Sequence, residues 1–171
     1  VTNRNQPFAT PSRVPYGSIN LRSGVRAGES TQTSAAGGGT SLLEMGMLSR
    51  ETGNGTFGAA AGDATDALWR KRSPLGLVGN HMNIMTGQWT HVESGVGVNI
   101  DSFYEYLLKA HLLFGDGTRL AQVCARFPPG CRARWRHSSV VPQFSSCYAG
   151  VMTYVRRGPW YVDVNMNTAA L

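Results

Sequence analysis

The stretch NIDSFYEYLLKAHLLFGD, residues 99–116, decides how this chain is read. It is mostly apolar, and its pattern predicts a helix over Ser102 to Phe114 closed by Gly115. Two carboxylates, Asp101 and Glu105, stand four residues apart at its head. They suit two different jobs. Ser102-Phe103-Tyr104-Glu105 matches the capping box S-x-x-E, in which Ser102 accepts from the Glu105 N–H and Glu105 reaches back to Ser102. Asp101 just ahead would then favour the positive helix end. The same spacing also puts both acids on one helix face, with Cβ atoms roughly 6 Å apart. Such a pair suits glycosidic chemistry, where one acid donates a proton and the other activates water. Inversion needs roughly 6.5–9.5 Å between the two carboxyls to admit that water. A further acid from another segment is therefore expected.

Working outward, residues 77–92 change period. NHMNIMTGQWTHV forms two short runs about Thr86 and Gly87 and predicts a β-hairpin. Upstream, Thr40 to Arg50 and Phe57 to Arg72 predict two helices, with Gly53 suited to a left-handed stop after the first and Pro74 and Gly76 ending the second. Residues 1–39 read as loop, broken by Pro7, Pro11 and Pro15. Gly37, Gly38 and Gly39 precede a helix, but no lysine follows them, so the phosphate-binding pattern fails and close backbone packing is the better reading. WYVDVN alternates and predicts one strand from Trp160 to Asn165. Glu44 lies in the apolar run SLLEMGMLS, where it is either a boundary residue reaching water or part of a sugar-facing set with Asp101 and Glu105. Asn80, His81, Trp89 and His91 are sugar-site candidates too, though an aromatic in a hairpin is more often core.

Composition narrows the classes. The 171 residues suffice for one domain with a core. Three cysteines give neither a paired disulfide framework nor a C-x-x-C metal pattern. No apolar run approaches the roughly 18 residues of a membrane span, and no charged-then-apolar leader is visible. The net charge of +6 invites a nucleic-acid reading. It is concentrated in Arg126, Arg132, Arg134 and Arg136, and the remainder is nearly balanced, so nucleic-acid binding is not expected.

Several strings in order, PYGSINLRSGV, GTSLLEMGMLSRETG, ALWRKRSPLGLVGNHMNIMTGQW, GVNIDSFYEYLLKAHLLFGD and YVRRGPWYVDVNMN, resemble glycoside hydrolase family 47. The branch they resemble is the ER degradation-enhancing α-mannosidase-like (EDEM) proteins. The resemblance spans about Pro7 to Gln122 and Phe144 to Asn167. It implies a mainly α chain, a fragment of an (α/α) barrel with β-hairpin insertions. It implies an inverting α-1,2-mannosidase with bound calcium, acting on high-mannose N-glycans of misfolded glycoproteins beside ER quality-control proteins. The implied location is the endoplasmic reticulum. Asp101 matches the family's catalytic Asp, a candidate general base. Glu105 and Glu44 match substrate-binding acids. The proton-donor Glu, a later catalytic Glu and the calcium-binding Thr are expected outside Val1 to Leu171, which reads as an internal fragment of one domain whose isolated form should be inactive. A non-catalytic mannose-binding lectin is the other function the resemblance allows.

Three departures stand out. Asn99 replaces an Arg that classical members carry two residues before the catalytic Asp. Ser30 and Ser34 stand where the branch has cysteine. The 21-residue segment Val123 to Gln143 has no family counterpart. It is a whole number of codons, begins with a GT-initial valine codon, and ends in glutamine, one of whose codons ends AG. A retained intron is expected, and a lineage-specific basic loop is the alternative. Asn54-Gly55-Thr56 is an N-x-T sequon, compatible with a lumenal protein.

Overall fold

A computed structural model describes residues 7–97, 99–114 and 140–171 of the chain. It is mostly helical, with three small sheets. Strand β1, Gln32–Ser34, runs into a short helix α1, Ala35–Gly39, whose N-terminus is capped by Ser34 Oγ accepting from Gly37 N at 2.9 Å. Helix α2, Leu42–Thr52, stops at Gly53, which takes φ +72 as expected. Helix α3, Thr56–Arg70, lacks a capping side chain at Gly55; instead Ser49 of α2 reaches across and accepts from Gly58 N at 2.7 Å. That buried bond and apolar packing hold α2 and α3 as a helical hairpin.

Strands β2, His81–Asn83, and β3, Gln88–His91, form the expected hairpin. Its connection is longer than a two-residue turn. Asn83 Oδ1 accepts from Met85 N and Thr86 N, and Gly87 N closes on Asn83 O at 2.7 Å with Gly87 at φ +66. β1 adds antiparallel to β2, so part of the segment read as loop is a third strand. Thr33 and Met82 face one another in that register and are both buried, which is what draws the segment in.

Strand β4, Glu93–Ser94, leads to helix α4, Asp101–Phe114. Helix α5, Val140–Gly150, packs on α4 and continues into one π-helical turn, Val151–Val155. The single strand expected over Trp160 to Asn165 is divided. β6, Trp160–Tyr161, pairs back on β5, Arg156–Arg157, about Gly158 at φ +60, whereas β7, Val164–Asn165, pairs with β4. Alternation alone does not reveal which partner each half takes.

The core is built where the helices meet the sheet. Val14, Leu42, Leu68, Met82, Ile84, Ile100, Phe103 and Leu107 are all buried in one cluster. Leu77, Val151, Val155, Val164 and Met166 form a second. Trp89 and Tyr104 pack against both. Two of the three glycines serve close packing, while Gly37 is exposed: a Cβ on Gly38 would meet Val14 at 2.6 Å, and one on Gly39 would collide with the buried ring of Phe103. The segment expected to be an insertion lies outside the described residues up to 139; its last four residues, 140–143, open α5, and Gln143 there is buried.

Candidate functional site

Asp101 is the first residue of α4, placed there by the turn before it. Asn99 adopts φ +69, a conformation asparagine tolerates better than most residues, and its carbonyl accepts from Ala36 N at 2.8 Å. This ties the head of α4 to α1. The helix therefore begins one residue before the expected Ser102, and Ser102 lies inside it. A capping box needs that serine just outside the helix. None forms: Glu105 Oε1 turns down its own helix to Lys109 Nζ at 2.7 Å.

Glu44 and Glu105 join one surface network. Tyr106 OH donates to Glu44 Oε1 at 2.9 Å, bridging α2 and α4. Lys109 Nζ, bound to Glu105, also lies 5.6 Å from the Tyr106 ring centre. The bond to Glu44 raises the Tyr106 pKa above its ordinary value of 10.0, because ionisation would set two negative charges together. The bond to Glu105 raises that of Lys109. The three acids singled out by sequence thus sit along one side of α4 and the facing end of α2, all exposed.

Asp101 also lines a cleft of about 310 Å³ with Tyr104, Phe144, Tyr148, Met152 and Tyr161. Its volume is at the small end of ligand sites, roughly 300–1,000 Å³. Phe144 and Tyr148 stack at 6.0 Å between ring centres with an interplanar angle of 25°, and Tyr161 OH meets Met152 Sδ at 3.6 Å. A carboxylate at the edge of an aromatic wall suits a pyranose, whose hydroxyls bind the acid while its C–H face lies on the rings. At the floor of the cleft Tyr104 is half-buried, its OH buried beside Ser94 and the Val78 carbonyl without a well-formed hydrogen bond to either. Burial first, and then the neighbouring Cys147, push its pKa upward.

The remaining candidates separate from this cleft. Trp89 is half-buried against the core, and its Nε1 donates to Lys71 O at 2.7 Å. His81 and His91 meet edge-on at 5.1 Å on the three-stranded sheet, and burial followed by the His91 charge lowers the His81 pKa. Neither these nor Asn80 lines the wall beside Asp101. The sequence reading missed Tyr106, Tyr148, Met152 and Tyr161. Tyr106 lies 62 residues from Glu44 in sequence, and the wall is drawn from three elements, so no local pattern marks either. Among the described residues no group of three or more His, Cys, Asp or Glu side chains converges.

Comparison with known proteins gives a consistent picture. The model of glycosyl hydrolase family 47 matches residues 5–152. Alpha-mannosidase I MNS4 of Arabidopsis thaliana is 45% identical over 164 residues, covering 96% of this chain and 23% of that protein. Human ER degradation-enhancing alpha-mannosidase-like protein 2 is 43% identical over 159 residues, covering 93% of this chain and 24% of its own length. The solved alpha-1,2-mannosidase from Trichoderma reesei superposes with a TM-score of 0.58 at 29% identity, over 77% of this chain and 27% of that one. The chain therefore spans about a quarter of the length of each of these three proteins.

Proposed function

The chain belongs to glycosyl hydrolase family 47, and we propose that it is one section of an EDEM-like α-1,2-mannosidase domain that trims mannose from N-glycans of misfolded glycoproteins. The observation that carries this is Asp101 standing at the edge of the aromatic cleft formed by Tyr148, Met152 and Tyr161. In this reading Asp101 is the general base. Its carboxylate takes a proton from a water held between it and the anomeric carbon. The water oxygen bonds to that carbon as the glycosidic C–O bond breaks, and the leaving oxygen takes a proton from an acid supplied outside this chain. Glu44 and Glu105 hold sugar hydroxyls, with Tyr106 and Lys109 fixing their orientation.

The rest of the (α/α) barrel, the second catalytic carboxyl and any calcium ligands would come from the remaining three quarters of the parent domain. In this reading the parent works in the endoplasmic reticulum beside quality-control proteins, a location supported by relatives named ER degradation-enhancing alpha-mannosidase-like proteins. Among the described residues no helix is long and apolar enough to cross a membrane. Asp101→Asn in the complete parent should abolish mannose trimming while leaving high-mannose glycan binding in place. Unchanged trimming would refute the role of Asp101.

One observation favours the lectin alternative. Asn99 stands two residues before Asp101, where the resemblance puts an arginine in classical members, and its φ of +69 serves the turn rather than the cleft. Under that reading, Asp101→Asn leaves client turnover unchanged.

A further inference from the structure

The sequon Asn54-Gly55-Thr56 is the one N-x-S/T sequence in the chain, and the site chemistry above does not use it. It occupies the connection between α2 and α3. Asn54 and Thr56 are both exposed. Asn54 Oδ1 accepts from Thr56 N at 3.1 Å and from Thr56 Oγ1 at 2.8 Å. The amide oxygen is thus engaged by the sequon's own threonine. Among the described residues Nδ2, the atom a glycan would occupy, carries no hydrogen bond. The turn is held independently of that nitrogen. Gly53 takes φ +72, Asn54 N donates to Thr52 Oγ1 at 3.3 Å, and Ser49 caps α3 from below.

Position also matters. A Cβ on Gly39 would meet Phe103 near the start of α4, and one on Gly46 would meet Phe114 at its end. Helices α1 and α2 therefore run beside α4 in the same direction. Asn54 lies beyond Gly46, past the end of α4 remote from Asp101. A helix of that length spans about 20 Å, so a bulky group on Asn54 stands clear of the cleft.

We propose that Asn54 is an N-glycosylation site whose oligosaccharide projects from the end of the helical layer opposite the acid cleft. The donor is an oligosaccharide linked through pyrophosphate to a polyprenyl lipid, acted on by a lumenal transferase. The Asn54 Nδ2–C1 bond of the first N-acetylglucosamine forms as the C1–O bond to the pyrophosphate breaks. The lipid pyrophosphate leaves, and one amide proton passes to a base of the transferase. The proposal rests on the lumenal part of the reading above.

The test is to express the full parent chain in eukaryotic cells as wild type, Asn54→Gln, Gly55→Pro and Leu21→Asn. Gly55 already has φ −67, close to the value proline fixes, and proline at that place blocks the sequon while leaving Asn54 intact. Leu21→Asn creates an N-x-S sequon with Arg22 and Ser23 at a side chain that is 98% exposed. Trypsin releases Glu51 to Arg70 as one peptide. In the wild type this peptide should appear only after enzymatic deglycosylation, with Asn54 converted to Asp. In Gly55→Pro it should appear unmodified from the start. If wild-type peptide is found unmodified while Leu21→Asn acquires a glycan, the chain reaches the lumen and Asn54 is refused, which overturns the proposal alone. If neither carries a glycan, the lumenal reading falls with it.

Discussion

At Gly39 the absence of one methyl group sets how closely α1 approaches α4. A Cβ there would meet the fully buried ring of Phe103 and stand 3.1 Å from Leu68 Cδ1. Both side chains are fully buried. Gly39→Ala is expected to cost about 1–3 kcal/mol through overpacking, read as a lowered midpoint in denaturant unfolding, with partial recovery in Gly39→Ala combined with Phe103→Leu. Cys147 offers a second residue-level expectation. Burial pushes its thiol from 9.0 to about 12, with Arg72 opposing slightly. The folded state then keeps a proton that the unfolded state releases, so stability is complete below pH 9 and falls as pH rises from there toward 12. Tyr104 shifts in the same direction. Cys147→Ala should flatten the alkaline loss seen by fluorescence-monitored unfolding. The wild-type thiol should react with thiol reagents only on unfolding. At the surface, Glu44→Gln should bring the Tyr106 titration down toward its ordinary value, identified by ultraviolet difference titration against Tyr106→Phe.

Among the elements, α5 tests the odd segment. Gln143 of α5 is buried, and its Nε2 donates to Asp66 Oδ1 of α3 at 3.0 Å. Deleting Val123 to Gln143 brings Gln122 directly before Phe144. The side chain next to Phe144 is then again a glutamine, so the bond to Asp66 has a replacement donor. We expect the deletion variant to unfold at the same denaturant midpoint as the uncut chain, or a higher one, and the further change Gln122→Ala to lower it. A midpoint that collapses on deletion would make the segment an integral loop rather than a retained intron. The α4 surface gives a complementary view: Leu112 is 71% exposed and Leu113 50%. In the complete domain we expect other barrel helices to cover such side chains. The section expressed alone should accordingly bind hydrophobic dyes more strongly than the parent.

For the whole molecule, the proposed function assigns this section one catalytic carboxylate and part of one sugar wall. It should not turn over mannosides alone, and neither should a parent carrying Asp101→Asn. A complete parent with wild-type Asp101 should, with inversion at the anomeric carbon visible by proton NMR of the first-released sugar. Retention would place the chemistry in a different mechanistic class.

Sequence by itself determined the helices α2, α3 and α4, the β2–β3 hairpin and the family, because each rests on local periodicity, turn chemistry or ordered motifs. It also marked the run of Gly37 to Gly39 as a place of close packing, which holds for Gly38 and Gly39. Only the tertiary structure decided that Trp160 to Asn165 divides between β5 and β4, that Gln32 to Ser34 joins the hairpin, and that Glu105 pairs with Lys109 rather than capping its helix. The Glu44–Tyr106 bridge and the aromatic wall beside Asp101 were likewise invisible beforehand. The physical reason is the same throughout. Backbone periodicity is written in neighbours a few residues apart, whereas strand partners, competing ion pairs and cleft walls depend on side chains brought together from distant segments.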